Sequence, residues 1–436
     1  MKSTSARIKT MIVVVGVLGV AAATSLTGAS AKTDKPAVVP PDAAIVWNAN
    51  AVAAVRASSP PKFQVDGIIY MSYVQAAVYD AVTKISGRYE PYHAFTATAA
   101  PGASVQAAIA AAARTTLDHY LPDQQASVDA KYTAFLATLS GGVADGVAVG
   151  EAAANDLIAF RSNDGLGATT PVYGTIGPII PGQWQLQSPT QTAQIPWVAT
   201  MRPFMLERDS QFRADPPPSL TSQQYAKDLN ETEAYGAINS TVRTPDETAT
   251  AYFWNANAVN QLNGTMQNVV TENNLDLVDA AHLFAMGELV TADAGMACFD
   301  SKYFYLAWRP FSAIPNADKD GNPDTTADPT WQPLLPTPTH PEYPSAHGCL
   351  TGAWTNALAA AVHSNHLDVT IPGALGGGTS LMTSRTYNTV QDIQNQIRDA
   401  RVWIGFHFRN SVNQGLKIGN EVADWSLDHY FGPAHS

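Results

Sequence analysis

Three short stretches, KYFYLAWRP (residues 302–310), PSAH (residues 344–347) and RVWIGFH (residues 401–407), decide how this chain is interpreted. They supply three cations, one hydroxyl and two histidines: Lys302, Arg309, Arg401, Ser345, His347 and His407. A doubly or triply charged anion leaves water only where several fixed cations and donors converge on it. Proline followed by serine at 344–345 also indicates a helix start, whose free N–H groups favour an anion. The stretches therefore predict one site for a tetrahedral oxyanion.

The order and spacing of these residues carry a family resemblance. Lys-x6-Arg-Pro, Pro-Ser-x-His and Arg-x5-His are similar to the three signature motifs that the vanadium-dependent haloperoxidases share with the type 2 phosphatidic acid phosphatases. Neighbouring residues resemble the haloperoxidases more closely: Asp293-Ala294-Gly295, Trp308 and THPEY at 339–343. The resemblance covers the chain from about residue 275 to its end. It implies helical bundles of the haloperoxidase type with long irregular loops.

The resemblance also implies a role for each motif residue. Vanadate would be the cofactor, with its vanadium bonded to His407. Its oxygens would be held by five further groups: Lys302, Arg309, Ser345, the backbone N–H of Ala346, and Arg401. His347 is the expected acid and base, so the residues expected to take part in catalysis are His347, Lys302 and His407.

The reaction implied is that of a haloperoxidase, an oxidoreductase in which hydrogen peroxide oxidises a halide to a hypohalous acid equivalent. A small organic acceptor would then be halogenated. In this family, histidine at the position of His340 accompanies bromide oxidation, and an aromatic residue accompanies chloride oxidation. His340 therefore predicts a preference for bromide. Its ring would add a second group that titrates near neutral pH.

Two positions depart from the family pattern. The third motif usually has serine before its arginine and aspartate four residues after its histidine, whereas this chain has Ala400 and Ser411. The aspartate would orient and charge the histidine from outside the metal's own ligands.

The residues leave two alternatives open. In an exported acid phosphatase, His407 would attack phosphorus to form a phosphohistidine and His347 would protonate the leaving alcohol. The second alternative is a non-catalytic oxyanion-binding protein, in which Ala400 and Ser411 have removed the activity.

Residues 1–31 have the pattern of a secretory signal peptide. Lys2, Arg7 and Lys9 precede an apolar run at 11–23, and Ala29-Ser30-Ala31 provides a small-residue cleavage site. Residues 32–45 are predicted to be a linker. The mature protein is expected to be secreted or periplasmic and to carry no membrane helix, because the apolar run is too short to span a bilayer.

The chain is acidic. Its formal net charge is −12, and removal of the three positive charges of the signal peptide makes it −15. It contains no long basic run, so nucleic acid is a poor candidate partner. The oligomeric state is left open.

The chain contains two cysteines, Cys298 and Cys349. In an exported protein a pair is more often oxidised than reduced, and each lies close to a motif, so a disulfide between them is possible. The alternative is two buried free thiols.

Helical periodicity dominates the sequence and strand signals are sparse, which predicts an all-α protein. Residues 46–220 are expected to form a helical scaffold with an irregular cover from 161, and residues 221–436 a catalytic helical bundle. Helices are predicted at 66–86, 103–120, 124–139, 145–160, 245–268, 275–305, 346–361 and 389–408. Lys302 and Arg309 would share one helix face if their helix continues. The dipole of helix 346–361 is expected to lower the pKa of His347.

The segment NADKDGNPD at 316–324 is similar to a calcium-binding loop. It lacks the glutamate at the twelfth position and the flanking helices of such loops. A turn is the favoured interpretation and a calcium site the alternative.

Overall fold

Thirteen α-helices, four short 3-10 helices and one β-hairpin form the regular structure of residues 42–373 and 384–434, the part of the chain that the computed structural model describes. The helices are α1 (Asp42–Ala57), α2 (Gln64–Ser86), α3 (Val105–Tyr120), α4 (Gln125–Leu136), α5 (Val143–Arg161), α6 (Gln223–Gly236), α7 (Pro245–Phe253), α8 (Ala258–Glu272), α9 (Leu277–Tyr305), α10 (Pro310–Ala313), α11 (Ala346–Ala361), α12 (Val390–Trp403) and α13 (Arg409–His429). The predicted all-α class is confirmed. The predicted signal peptide and the first ten linker residues, 32–41, lie outside the described residues.

The centre of the fold is α9, which packs against α2 and α11. Its sequence is apolar on all sides and nearly all of its residues are buried, as expected for a helix surrounded by others. Asp276 caps its first turn by accepting hydrogen bonds from the N–H groups of Val278 and Asp279. Farther along, the Asp293 carboxylate accepts hydrogen bonds from the backbone N–H groups of residues 204–206. α9 therefore holds the irregular cover as well as the helical core.

Glycines allow α11 and α13 to cross closely. A Cβ atom at Gly419 would lie 2.2 Å from the Cys349 carbonyl oxygen, and one at Gly415 would lie 2.5 Å from that of Ser345. Neither position can hold a side chain without moving the backbone. The close crossing fixes the start of α11, where the PSAH motif lies, against the helix that follows the third motif.

Several local predictions agree with the structure. Gly87 ends α2 in the left-handed conformation, with φ of 61°. The capping box of Thr244 and Glu247 is present at the start of α7. The predicted helix 346–361 coincides with α11. These features depend on residues close together in sequence.

Other predictions need correction. The helix predicted over 245–268 is two helices, α7 and α8, separated by residues 254–257, and the Asn257 side chain caps the second. α9 does not continue to Arg309, because Leu306 adopts a left-handed conformation with φ of 50° and ends the helix. Lys302 and Arg309 therefore do not share a helix face. α1 begins at Asp42, inside the predicted linker.

The hairpin and the last helix were not predicted. β1 (His366–Pro372) pairs antiparallel with β2 (Ser384–Thr389), and Val369 lies opposite Tyr387. A second capping box, of Thr389 and Asp392, starts α12 directly after β2. Among the described residues, no helix combines the length and apolar character needed to cross a bilayer.

Candidate active site

A cavity of about 380 Å³ brings the second and third motifs together. Its wall contains Ala346, His347, Arg401 and His407, and also His340. Other wall residues come from distant parts of the chain: Phe63, Gln194, Ile195, Pro336, Thr337 and Pro338. The start of α2 and the irregular cover therefore help to form the approach to the predicted oxyanion site.

Lys302 is buried and joins the first motif to the second. Its Nζ donates hydrogen bonds to the carbonyl oxygens of Pro341 and Glu342, each at 2.9 Å. Burial lowers the pKa of Lys302 to about 8, and the Arg309 guanidinium contributes to this lowering. Lys302 is not part of the cavity wall.

Arg309 is buried and contacts the wall through His340. Its Nε donates to the His340 carbonyl oxygen at 2.7 Å, and its Nη1 donates to that of Phe406 at 3.1 Å. Its Nη2 lies 2.9 Å from His340 Nδ1. His340 Nδ1 also lies 3.1 Å from the Pro341 carbonyl oxygen. A guanidinium only donates and a carbonyl oxygen only accepts, so the tautomer of His340 decides which of the two contacts is a hydrogen bond.

The expectation that His340 titrates near neutral pH is wrong. The pKa of His340 is lowered well below its ordinary value by burial, and then by Arg309 and Lys302. His340 therefore contributes a neutral polar ring to the cavity, next to the ring of Phe299 at 5.4 Å between centroids.

The start of α11 presents donors to the cavity. Ser345 is the N-cap residue of the helix, yet its hydroxyl makes no capping hydrogen bond. Ala346 and His347 are the first two helical residues, as predicted. The pKa of His347 is lowered well below its ordinary value, but burial is the largest cause, followed by Arg401, Lys302 and Arg309. The pKa of His347 is thus lowered, which is the predicted direction.

Ser345 Oγ, His347 Nε2 and Arg401 Nε are among the buried polar atoms that lack a hydrogen-bond partner in the described part of the chain. His347 and Arg401 line the cavity, and Ser345 directly precedes Ala346, which also lines it. Buried polar groups are nearly always paired, so these atoms require an explanation. A tetrahedral oxyanion would accept hydrogen bonds from a hydroxyl and a guanidinium. The residues thus fit vanadate, or another anion of the same shape.

His407 has a partner that the sequence analysis did not predict. Its Nδ1 lies 2.9 Å from Oε1 of Glu342, and both side chains are buried. The backbone N–H of Phe408 donates to the same oxygen at 3.1 Å. A lone glutamate in the proline-rich segment before PSAH was the available signal. Burial raises the pKa of Glu342 to about 7, against the opposing effect of Lys302.

The cations also act on His407. The pKa of His407 is lowered well below its ordinary value by burial, and then by Arg309, Lys302 and Arg401. The same three cations act on His347. The structure therefore brings the first motif into electrostatic contact with the other two, as predicted.

The cysteines are two buried free thiols, which is the alternative to the disulfide considered above. The Cys298 thiol lies 3.7 Å from the Pro344 carbonyl oxygen and donates to it. Burial raises the pKa of Cys349 well above its ordinary value, and a hydrogen bond with Cys298 adds to the effect. The two thiols therefore lie next to each other and close to Lys302.

The segment 316–324 begins in a 3-10 helix, Ile314–Lys319, and continues as a turn in which side chains bond to neighbouring residues. Asp320 accepts hydrogen bonds from the Asn322 N–H and the Thr325 hydroxyl. The Asn322 side chain accepts from the Asp324 N–H. Within residues 42–373 and 384–434, no group of histidine, cysteine and carboxylate side chains has the arrangement of a metal site.

Comparison with known proteins confirms the family resemblance. Residues 282–434 match the family model of the VCPO second helical-bundle domain. Vanadium chloroperoxidase from Curvularia inaequalis is 29% identical over 143 residues, which cover 27% of this chain and 23% of that protein. The chain thus spans about a quarter of the length of this curated relative.

Solved structures extend the similarity of fold to nearly the whole chain. A bacterial vanadium-dependent iodoperoxidase has a TM-score of 0.73 at 20% identity, over 93% of this chain and all of the other. The holo form of a bacterial vanadium-dependent chloroperoxidase has a TM-score of 0.70 at 19% identity, over 91% of this chain and 98% of the other. The helical-bundle fold predicted from the resemblance is confirmed.

Proposed function

We propose that this relative of the vanadium haloperoxidases is a secreted enzyme that binds vanadate and uses hydrogen peroxide to oxidise a halide. The product would be a hypohalous acid equivalent, which halogenates a small organic acceptor. The observation that carries the proposal is the meeting of two unpaired buried polar atoms, His347 Nε2 and Arg401 Nε, with His407 at one cavity. The unpaired Ser345 hydroxyl adjoins them at the start of the same helix as His347. Secretion is supported by the signal-peptide pattern of residues 1–31.

The cations of the site hold the anion. Lys302, Arg309 and Arg401 would neutralise its charge, and the Ser345 hydroxyl and Ala346 N–H would donate to its oxygens. Vanadate, when bound, would supply a Lewis acid that activates peroxide without a change of oxidation state. Since Nδ1 of His407 is engaged by Glu342, Nε2 is the atom that remains for the metal.

His347 is suited to move protons. Burial and three cations keep its ring neutral, and its Nε2 has no partner among the described residues. A neutral, unpaired ring nitrogen can accept a proton from incoming hydrogen peroxide and later return it.

The halide proposed is bromide in preference to chloride. His340 places a neutral polar ring in the wall, where an aromatic ring would make the cavity drier. Water near the cations weakens their electric field, and chloride, which is harder to oxidise than bromide, needs the stronger field.

The deciding experiment uses the full chain freed of bound metal. Addition of vanadate, hydrogen peroxide and bromide should produce bromination of a phenol, and omission of vanadate should abolish it. A parallel assay measures hydrolysis of a phosphate ester without vanadate. Ester hydrolysis that vanadate inhibits, together with no bromination, would support the acid phosphatase instead. The matched domain and the neighbouring folds do not favour that alternative.

A further inference from the structure

We propose that Glu342 is the positioning residue for His407 and replaces the aspartate that the family pattern places at position 411. The carboxylate that orients the metal-bonding histidine would thus come from the segment before the second motif. The inference rests on the proposed function only in that vanadate bonds to His407, which an acid phosphatase site would also allow.

The hydrogen bonds of Glu342 define the proton on His407. The Phe408 backbone N–H can only donate, so Oε1 of Glu342 acts as an acceptor in that contact. We assign the second contact of the same oxygen, at 2.9 Å, as a hydrogen bond donated by His407 Nδ1. A neutral imidazole with its proton on Nδ1 has a lone pair on Nε2. Glu342 therefore selects the form of His407 that can bond vanadium.

The backbone of Glu342 is held by two hydrogen bonds with residues of the first stretch, 302–310. Its N–H donates to the Ala307 carbonyl oxygen at 3.0 Å, and its own carbonyl oxygen accepts from Lys302 Nζ at 2.9 Å. These contacts hold the residue from the end of α9. The buried side chain then reaches His407, with Oε1 2.9 Å from Nδ1.

Ser411 makes room for this arrangement. Its hydroxyl lies 3.5 Å from the Glu342 carbonyl oxygen, and its own carbonyl oxygen accepts from the Ser345 N–H at 3.0 Å. An aspartate at 411 would place a second carboxylate beside Glu342 in a buried region, where two like charges repel strongly. The uncharged serine at position 411 is therefore compatible with the buried carboxylate of Glu342, whereas an aspartate there would repel it.

The binding of vanadate should depend on Glu342, whereas the binding of inorganic phosphate should not. Vanadate bonds to Nε2 and needs its lone pair. Inorganic phosphate is held only by the cations and donors, which do not depend on where His407 carries its proton. Loss of the positioning carboxylate should therefore weaken vanadate binding selectively.

The test measures the Kd of vanadate and of inorganic phosphate for the full chain by calorimetry. Glu342→Leu should weaken vanadate roughly 10- to 100-fold, the usual effect of losing such a partner, and change phosphate by less than about threefold. Glu342→Gln keeps the shape and an acceptor oxygen, so its loss should be smaller. Glu342→Leu with Ser411→Asp should recover at least about tenfold of the vanadate affinity, because the carboxylate returns from the family position.

A matched control is Asp228→Asn. Asp228 is another buried carboxylate that accepts a backbone hydrogen bond near the start of α13, from Asn410, but it does not touch His407. This variant should leave both affinities unchanged. Circular dichroism of all variants establishes that they fold, and the Gln variant remains informative if the Leu variant does not.

Three results would overturn the inference: equal weakening of vanadate and phosphate, unchanged vanadate affinity in both Glu342 variants, or no vanadate binding by the wild-type chain. The halide assay is scored separately. A wild-type chain that binds vanadate but oxidises no halide refutes the proposed function and still tests Glu342.

Discussion

Arg161 and Arg401 are buried in two regions of the molecule, and they differ in the number of hydrogen-bond partners of the guanidinium. Arg161 donates through Nε to Asp164 at 2.8 Å and through its other nitrogens to the carbonyl oxygens of Pro203 and Arg202. Both arginines lie over an aromatic ring, Arg161 over Phe204 at 4.2 Å and Arg401 over Phe406 at 5.0 Å, so the difference is in their hydrogen bonds. Arg401, at the cavity, donates only a 3.3 Å contact to the Trp254 carbonyl oxygen among the described residues, and its Nε has no partner there.

The pKa values follow the same division. Burial opposes the charge of Arg161, but Tyr92 and Asp164 outweigh it and the pKa of Arg161 is raised. Burial lowers the pKa of Arg401 to about 9, and Arg309 adds to the lowering. A buried cation with its own carboxylate holds the fold together, whereas one that faces other cations is suited to an anion from outside. The presence or absence of a carboxylate partner therefore distinguishes a structural arginine from a binding-site arginine, whereas burial does not, because both are buried.

The largest expected effect is at His407. His407→Ala should abolish both retention of vanadate and bromination, because the bond to the metal is lost, while the protein still unfolds in a cooperative transition. Metal analysis after gel filtration measures the first, and urea unfolding measures the last. Full activity in this variant would show that the site has been assigned to the wrong histidine.

His347→Ala should retain vanadate but slow turnover by roughly two to four orders of magnitude, the usual span for a positioned acid or base. The comparison of bound vanadium with the bromination rate distinguishes the two histidines. If the metal is lost together with the activity, His347 holds the anion rather than moving protons.

Substitution of Arg161 should change the stability of the fold, whereas substitution of Arg401 should change the affinity for vanadate. Arg161→Met leaves Asp164 buried without its cation and should lower the free energy of unfolding by about 3–5 kcal/mol. Arg401→Met removes a cation that lacks a carboxylate, so the metal-free protein should be equally stable or more stable, while its vanadate affinity falls roughly 10- to 100-fold. Urea unfolding and calorimetry give the two quantities. A similar loss of stability in both variants would remove the distinction drawn above.

Glu288 is a third kind of buried polar group, a carboxyl group that avoids a buried charge by keeping its proton. Burial raises its pKa from 4.5 to about 8, with a small opposing effect of Asn263. The folded state thus keeps a proton that the unfolded state releases, and stability should fall as pH rises from about 4.5 to 8. Glu288→Gln should remove this decline and stabilise the protein by on the order of a few kcal/mol at pH 9. Unfolding midpoints of both proteins across this pH range provide the test, and parallel curves would contradict it.

The sequence predicts what depends on neighbours along the chain. Gly87, the Thr244 capping box and the bounds of α11 follow from local signals, and the motif residues follow from their spacing. The break between α7 and α8 was missed because the apolar pattern continues across it. The contact of Glu342 with His407 joins residues 65 apart, and that of Arg309 with His340 joins residues 31 apart. Such pairs depend on how helices and loops pack, which no local pattern contains.

The smallest expected effect concerns the choice of halide. In the present cavity, the polar ring of His340 lies against Arg309, with Nδ1 2.9 Å from Nη2 of the guanidinium. His340→Phe would remove that polar ring and the water that it attracts, which strengthens the field of the cations on peroxide. The ratio of chloride to bromide turnover should therefore rise several-fold, with the Kd of vanadate within about threefold of wild type. His340→Gln keeps a polar group and should leave the ratio unchanged. An unmodified enzyme that already oxidises chloride as readily as bromide would refute the role of His340, although the vanadate site formed by the buried cations and His407 would stand.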